Sequence, residues 1–223
     1  MTYEDQTSNR KRVGCVMAKQ ELPVVVFSDY ICPFCYIGDR RLERLAEHYD
    51  LKVDWRFLEI HPDTPPEGVP VSELGYPPEQ WRQMMENLSR MAIEEKIPLA
   101  EREITTNSRK ALLLAEAAKG EGAEVFRSLN GKLFAAFFGE GRNIGDDAVL
   151  RNLAEEAGVP PVVVDRAWSD PAYEEALSAN RAAAAQLGIT GVPTFLIGNR
   201  ILVGAVPAET MLAAAREALP PAP

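Results

Sequence analysis

The sequence predicts an α/β fold in which a β-α-β unit at the front and a β-β-α unit at the back are separated by a large all-α insertion. Three observations carry this. Short apolar, β-branched runs occur near the two ends of the chain, at 22–29, 51–60 and 194–204. Between about residues 79 and 188 the apolar positions recur instead at three- and four-residue spacing, the period of a helix. Neither group of strands is large enough to stand alone, so the two must pair into one sheet. The resulting division is an N-terminal tail over 1–21, an α/β domain from 22–70 and 189–219, an inserted helical domain over 71–188, and a proline-rich tail at 220–223.

Residues 22–29 contain Val24-Val25-Val26-Phe27, the pattern of a buried strand. From 33 to 49, Leu42, Leu45, Ala46 and Tyr49 lie on one helical stripe, and Pro33 suits a first turn, where its missing N–H costs nothing. Leu51 to Ile60 alternates Val53, Trp55 and Phe57 with charged residues, which predicts a second, parallel strand. His61 to Pro78 is rich in proline and glycine and reads as an irregular boundary. Helical stripes follow at Trp81–Ala92, Ala111–Ala118, Phe126–Phe137 and Leu150–Ala157, the last capped by Asp146. Pro171 opens a long helix that Gly188 stops. No strand is expected between 79 and 188, and Trp168 falls on no predicted element. Thr194–Ile197, the turn Gly198-Asn199 and Ile201–Gly204 form a hairpin, and Pro207 opens the last helix.

Hydrophobic content of 46% supplies enough apolar material for a core without disulfide staples. Net charge is −9, and the one basic run, Arg10-Lys11-Arg12, is short, so nucleic acid is not an expected partner. No apolar run approaches the ~18 residues of a membrane span, and the polar start Met1–Gln6 carries no signal-peptide pattern. The expected setting is therefore cytoplasmic, without membrane contact, as a monomer or homodimer. Of three cysteines, Cys15 reads as an incidental thiol or as a third redox partner if its segment folds back.

The other two cysteines carry the chemistry. Cys32-Pro33-Phe34-Cys35 follows a strand and opens a helix. A helix N-terminus offers unpaired N–H groups and a positive dipole end, which favour a thiolate if Cys32 is exposed there. Cys35, one turn on, can resolve a mixed disulfide formed at Cys32. A structural disulfide is the weaker reading, because so short a loop removes little unfolded-state entropy. Zinc is another rival: Cys32, Cys35 and His48 match three finger ligands, but His61 lies too far from His48 for the fourth. No metal is therefore expected. His61 reads either as a base beside a pocket or as a loop histidine. Met84, Met85 and Met91 read as core packing or as a greasy groove.

The run Cys32-Pro33-Phe34-Cys35-Tyr36-Ile37-Gly38, with Gly191-Val192-Pro193-Thr194 at the far end of the helical block, resembles the thioredoxin superfamily. Within it the chain is similar to DsbA-like proteins with an inserted helical domain, and most to FrnE-type members. The resemblance covers about residues 22–218 and implies a thioredoxin-like fold and thiol–disulfide exchange on protein disulfides. It assigns Cys32 as nucleophile and Cys35 as its resolving partner, with Pro33 and Phe34 as the intervening pair. It also implies a cis Pro193 facing the dithiol, which leaves the Val192 backbone to pair with an extended substrate. No bound cofactor is implied, with glutathione as a possible thiol donor or partner. The same scaffold resembles kappa-class glutathione transferases and 2-hydroxychromene-2-carboxylate isomerases. Those use one activating residue at the first motif position, so the alternative is glutathione-dependent chemistry on small molecules. Two departures stand out. Val26 occupies the place of thioredoxin's buried Asp, and Phe34 stands where strongly oxidising DsbA has a histidine. Removing that cation implies a less oxidising dithiol than DsbA.

Overall fold

The computed structural model describes residues 19–219, so Cys15, the basic run and the proline-rich tail lie outside the described residues. Strand β1 (Glu21–Ser28) leads through a four-residue loop into α1 (Pro33–Leu45), and β2 (Asp50–Phe57) returns parallel to β1 with Val24 opposite Val53. After the helical block, β5 (Thr194–Ile197) pairs antiparallel with β1, and β6 (Arg200–Val203) pairs antiparallel with β5. The sheet order is β2-β1-β5-β6, so both groups of strands build one sheet. Leu22, Val24 and Val26 alternate along β1 and share a face. They form one core with Leu45 of α1, and with Met211 and Ala215 of the last helix, α8 (Ala208–Ala218).

The first helix ends at Leu45 rather than running to 49. His48 and Tyr49 N–H groups both turn back to the Leu45 carbonyl, and the chain enters β2 directly. The second strand stops at Phe57, not Ile60, because the Ile60 N–H is taken by a side chain of the β1–α1 loop. Two further differences lie in the helical block. Val69–Pro70 (β3) and Ile104–Thr105 (β4) pair as a two-residue ribbon, so 79–188 does contain a strand, though one too short to show periodicity. Pro161–Ser169 (α6) is a nine-residue helix that carries Trp168, whose indole N–H donates to Lys110 O.

The remaining helices are α2 (Pro78–Glu95), α3 (Arg109–Ala118), α4 (Ala123–Phe134), α5 (Asp147–Ala157) and α7 (Pro171–Gln186). Asp146 caps α5 as expected, its carboxylate accepting from Ala148 and Val149 N–H. One π-helical turn, Ala135–Gly139, follows α4, and the Phe138 carbonyl accepts from Ala100 N–H. The larger core joins these helices to the start of α1. Tyr30 lies 5.3 Å from the Phe57 ring and 4.9 Å from Phe134, and Tyr36 stacks on Phe134 at 5.4 Å. Met85 and Met91 pack against this core. Arg41, 4% exposed in its side chain, pairs with Glu95 at 2.8 Å and donates to Ala205 O, fastening α2 and the β6–α8 loop to α1. Removing one partner of so buried a pair costs about 3–5 kcal/mol. Among the described residues no helix is long and apolar enough to cross a membrane.

Gly38 is where α1 meets β5. A Cβ there would stand 2.7 Å from the Phe195 ring and 3.3 Å from Pro193 Cγ. Phe195 is fully buried, so its ring can yield only by shifting the core around it. Gly38→Ala gains about 1 kcal/mol of helix propensity, yet the clash costs about 1–3 kcal/mol. We therefore expect a net loss of stability in urea denaturation; a more stable Gly38→Ala protein would contradict this packing.

Candidate active site

The end of β1 delivers the dithiol. Cys32 occupies the N-cap position of α1 with extended backbone, and Pro33 fills the first turn. Cys32 N–H donates to Asp29 O at 3.2 Å and Cys35 N–H to Cys32 O at 3.0 Å, which winds the loop into the helix. Both cysteines are free thiols. Cys32 is 6% exposed and Cys35 2%, so both are buried. Cys35 Sγ accepts from the Asp29 backbone N–H at 3.5 Å. Burial pushes the Cys35 thiol well above its usual range, the hydrogen bond with Cys32 adds to the rise, and Ser28 and the Asp29 N–H partly offset it.

Across from the dithiol the Val192–Pro193 bond is cis. Cys32 Sγ lies 3.6 Å from Val192 O, Gly204 N–H donates to Pro193 O at 2.7 Å, and Thr194 Oγ1 donates to Gly191 O at 2.8 Å. Residues 160 apart in sequence are thus in contact, and Val192 and Phe34 are partly buried against the larger core. Pro33 is half-buried beside them. The other expected candidates lie elsewhere. His48 is exposed in the turn beyond α1, about 20 Å of helix away from Cys32. His61 is half-buried in the loop after β2, and burial lowers its pKa. Among the described residues no three His, Cys, Asp or Glu side chains converge as a metal cluster.

The residue that motif reading passed over is Asp29. Its carboxylate accepts from Ile31 N–H at 3.2 Å and from Ile60 N–H at 2.8 Å, tying the dithiol loop to the end of β2. It is fully buried, and burial raises its pKa to about 6, with Glu59 adding to the rise. The buried Ser108 hydroxyl offsets part of this while completing no hydrogen bond of normal geometry. Glu59 is itself only 2% exposed in its side chain and pairs with Arg109 at 2.8 Å. The sequence did hold a signal. An Asp directly after a strand and two residues before the next backbone donor is an Asx-turn former. Val26, at the position of thioredoxin's acid, instead packs in the sheet core opposite Phe195.

An acid whose folded pKa lies above its unfolded value stabilises the fold most below the unfolded pKa and loses that contribution as pH rises. For Asp29 the loss falls between about pH 4 and about pH 6 and amounts to roughly 1–3 kcal/mol. Urea denaturation of wild type and Asp29→Asn across this window should show the wild type losing stability relative to the variant as pH rises. Parallel curves would contradict the assigned burial.

Comparisons with known proteins agree with this geometry. The model of the DSBA-like thioredoxin domain matches residues 23–216. The uncharacterised Bacillus subtilis protein YwbO is 31% identical over 188 residues, covering 82% of this chain and 90% of its own. A probable DsbA oxidoreductase from Streptomyces coelicolor superposes with a TM-score of 0.78 at 28% identity, over 91% of this chain and 92% of that one. A 2-hydroxychromene-2-carboxylate isomerase shares the fold, with a TM-score of 0.70 at 23% identity over 89% and 96% of the two chains. With the dithiol at a strand-to-helix junction, a cis-proline loop opposite and the family match spanning nearly the whole α/β framework, the chain belongs to the DSBA-like thioredoxin domain family of thiol–disulfide oxidoreductases.

Proposed function

We propose that the chain exchanges disulfides with protein substrates, with Cys32 as the attacking and Cys35 as the resolving thiol. The observation that carries this reading is the asymmetry of the pair. Cys32 caps α1 beside the cis-proline loop, 3.6 Å from Val192 O, while Cys35 lies one helical turn on, its thiol pushed up by burial. The Cys32 thiolate attacks a substrate disulfide and one substrate sulfur leaves as a thiol, giving a mixed disulfide. Cys35 then loses its proton and attacks Cys32 Sγ, and the second substrate sulfur leaves. The substrate gains two electrons and the chain is left with a Cys32–Cys35 disulfide. A thiol such as glutathione returns it to the dithiol, and the same steps in reverse oxidise a substrate.

Burial of Cys35 makes its deprotonation the demanding step, which suits a group that acts only after Cys32 is engaged. Val192 supports the choice of substrate. Its backbone lies beside Cys32 in the loop before β5, where a peptide segment can add as a short strand and present its disulfide to the thiol. A small substrate would use no such edge. Nor would it need a resolving thiol.

Insulin reduction should fall by at least about 100-fold in Cys32→Ser. Cys35→Ser should accumulate a mixed disulfide, visible on a non-reducing gel and released by added thiol. Equal insulin reduction by wild type and Cys32→Ser would overturn the proposal. So would turnover of a small electrophile with glutathione that is undiminished in Cys35→Ser, which would assign glutathione-dependent transfer instead.

A further inference from the structure

Asp29 touches both cysteines through its main chain. Its backbone carbonyl accepts from Cys32 N–H at 3.2 Å, and its backbone N–H donates to Cys35 Sγ at 3.5 Å. Its side chain ties down the chain on either side. Oδ1 accepts from Ile31 N–H at 3.2 Å and Oδ2 from Ile60 N–H at 2.8 Å. The peptide that carries the Asp29 N–H is clamped from the β2 side as well, because its carbonyl, Ser28 O, accepts from Leu58 N–H at 2.9 Å.

A local turn alone does not call for an acid here. A side-chain amide or hydroxyl can close the bond to Ile31 N–H, without the cost of a buried charge. Donors from two segments, one in the dithiol loop and one beyond β2, need two acceptor oxygens. An ionised carboxylate offers two, and an amide offers one. Burial raises Asp29 to about 6, which still leaves it ionised at neutral pH with both oxygens accepting. Its charge is taken up by the Ile31 and Ile60 N–H groups, and what reaches Cys35 is the backbone donor.

We propose that Asp29 is a positioning residue for the resolving step: its carboxylate holds the Ser28–Asp29 peptide so that the Asp29 N–H meets Cys35 Sγ as that sulfur becomes an anion. This rests on the reading of Cys35 as the resolving thiol. In the mixed disulfide, Cys35 Sγ forms a bond to Cys32 Sγ, the bond from Cys32 to the substrate sulfur breaks, and the Cys35 proton leaves with that sulfur as a thiol. A hydrogen bond strengthens when its acceptor takes on a full charge, so an N–H fixed in place favours the buried thiolate at the moment it forms. Cys32 Sγ lies instead against Val192 O, so the first attack does not draw on this donor. A purely structural Asp29 would affect both steps alike, whereas a positioning Asp29 acts on the second.

Stopped-flow reaction of the reduced full chain with excess dithiobis-nitrobenzoate separates the two steps, in a Cys15→Ser background so that only the pair reports. Attack by Cys32 releases one coloured thiolate at a rate proportional to reagent. Attack by Cys35 on the mixed disulfide releases the second at a rate independent of it. Both releases should appear with the intact pair, and Cys35→Ser should remove the second. Asp29→Ala should slow the second release at least about tenfold and change the first by less than about twofold. Asp29→Asn, which keeps one acceptor oxygen, should fall between, with the second release at least about threefold slower. It carries the test if Asp29→Ala does not fold. Equal slowing of both releases would assign Asp29 a structural role and overturn the proposal, as would an unchanged second release in Asp29→Asn. A single release from the intact pair would overturn it together with the reading of Cys35 on which it rests.

Discussion

The antiparallel pairing of β1 with β5 is the contact on which the site depends. Val24 faces Ile197, and Phe27 faces Thr194, so the two strands are locked together over four residue pairs. Each strand runs straight into a loop of the candidate site. Beyond Phe27 and Ser28 the chain reaches Asp29 and the dithiol, and just before Thr194 it passes through Val192 and Pro193. A register slip of one residue would turn every side chain of β5 to the other face, taking Phe195 out of the core and away from Gly38. Register is specified here by burial, since Val24, Val26, Phe195 and Ile197 are all closed off from water. The 3.6 Å approach of Cys32 Sγ to Val192 O follows from that pairing, even though most of the chain intervenes.

Around this pairing the chain places buried polar groups with unequal support. Arg41 is fully engaged, with two glutamates and a backbone carbonyl. Asp29 is held by two backbone N–H groups with no cation acting on it among the described residues, and the charged neighbour that does act is another acid, Glu59. Asp39 accepts from the Asn130 amide, and the Arg40 charge only partly offsets its burial. The first is structural in the ordinary sense, a clamp between elements. The two acids are different: their burial is a standing cost that is reduced when they take up a proton or meet a cation. One lies under the dithiol loop and the other against Asn130 of α4.

Much of this was legible in the residues. Cys32-Pro33-Phe34-Cys35 between an apolar run and a helical stripe, and Gly191-Val192-Pro193-Thr194 before the final hairpin, marked both halves of the site. Strands and long helices followed from period two and period 3.6. What the sequence hid has physical reasons. The ribbon of Val69–Pro70 and Ile104–Thr105 is two residues deep, below the length at which alternation can show. Helix α6 begins at Pro161 straight after Pro160, a pair that reads as a break unless the second proline fills a first turn. Asp29 stands apart from any motif, because the position of thioredoxin's buried acid is taken by Val26. The chain carries one at the loop instead, where its local turn chemistry places it.

The central claim is that Cys32 and Cys35 form a reversible redox pair. Its most direct test is the equilibrium reduction potential of the full chain in glutathione buffers of graded ratio, read by thiol alkylation. A single two-electron transition is expected, between about −270 mV, thioredoxin's range, and about −120 mV, that of DsbA. The missing cation at Phe34 places it on the reducing side of DsbA. Two thiols that alkylate independently at every ratio, with no Cys32–Cys35 disulfide formed, would contradict the account.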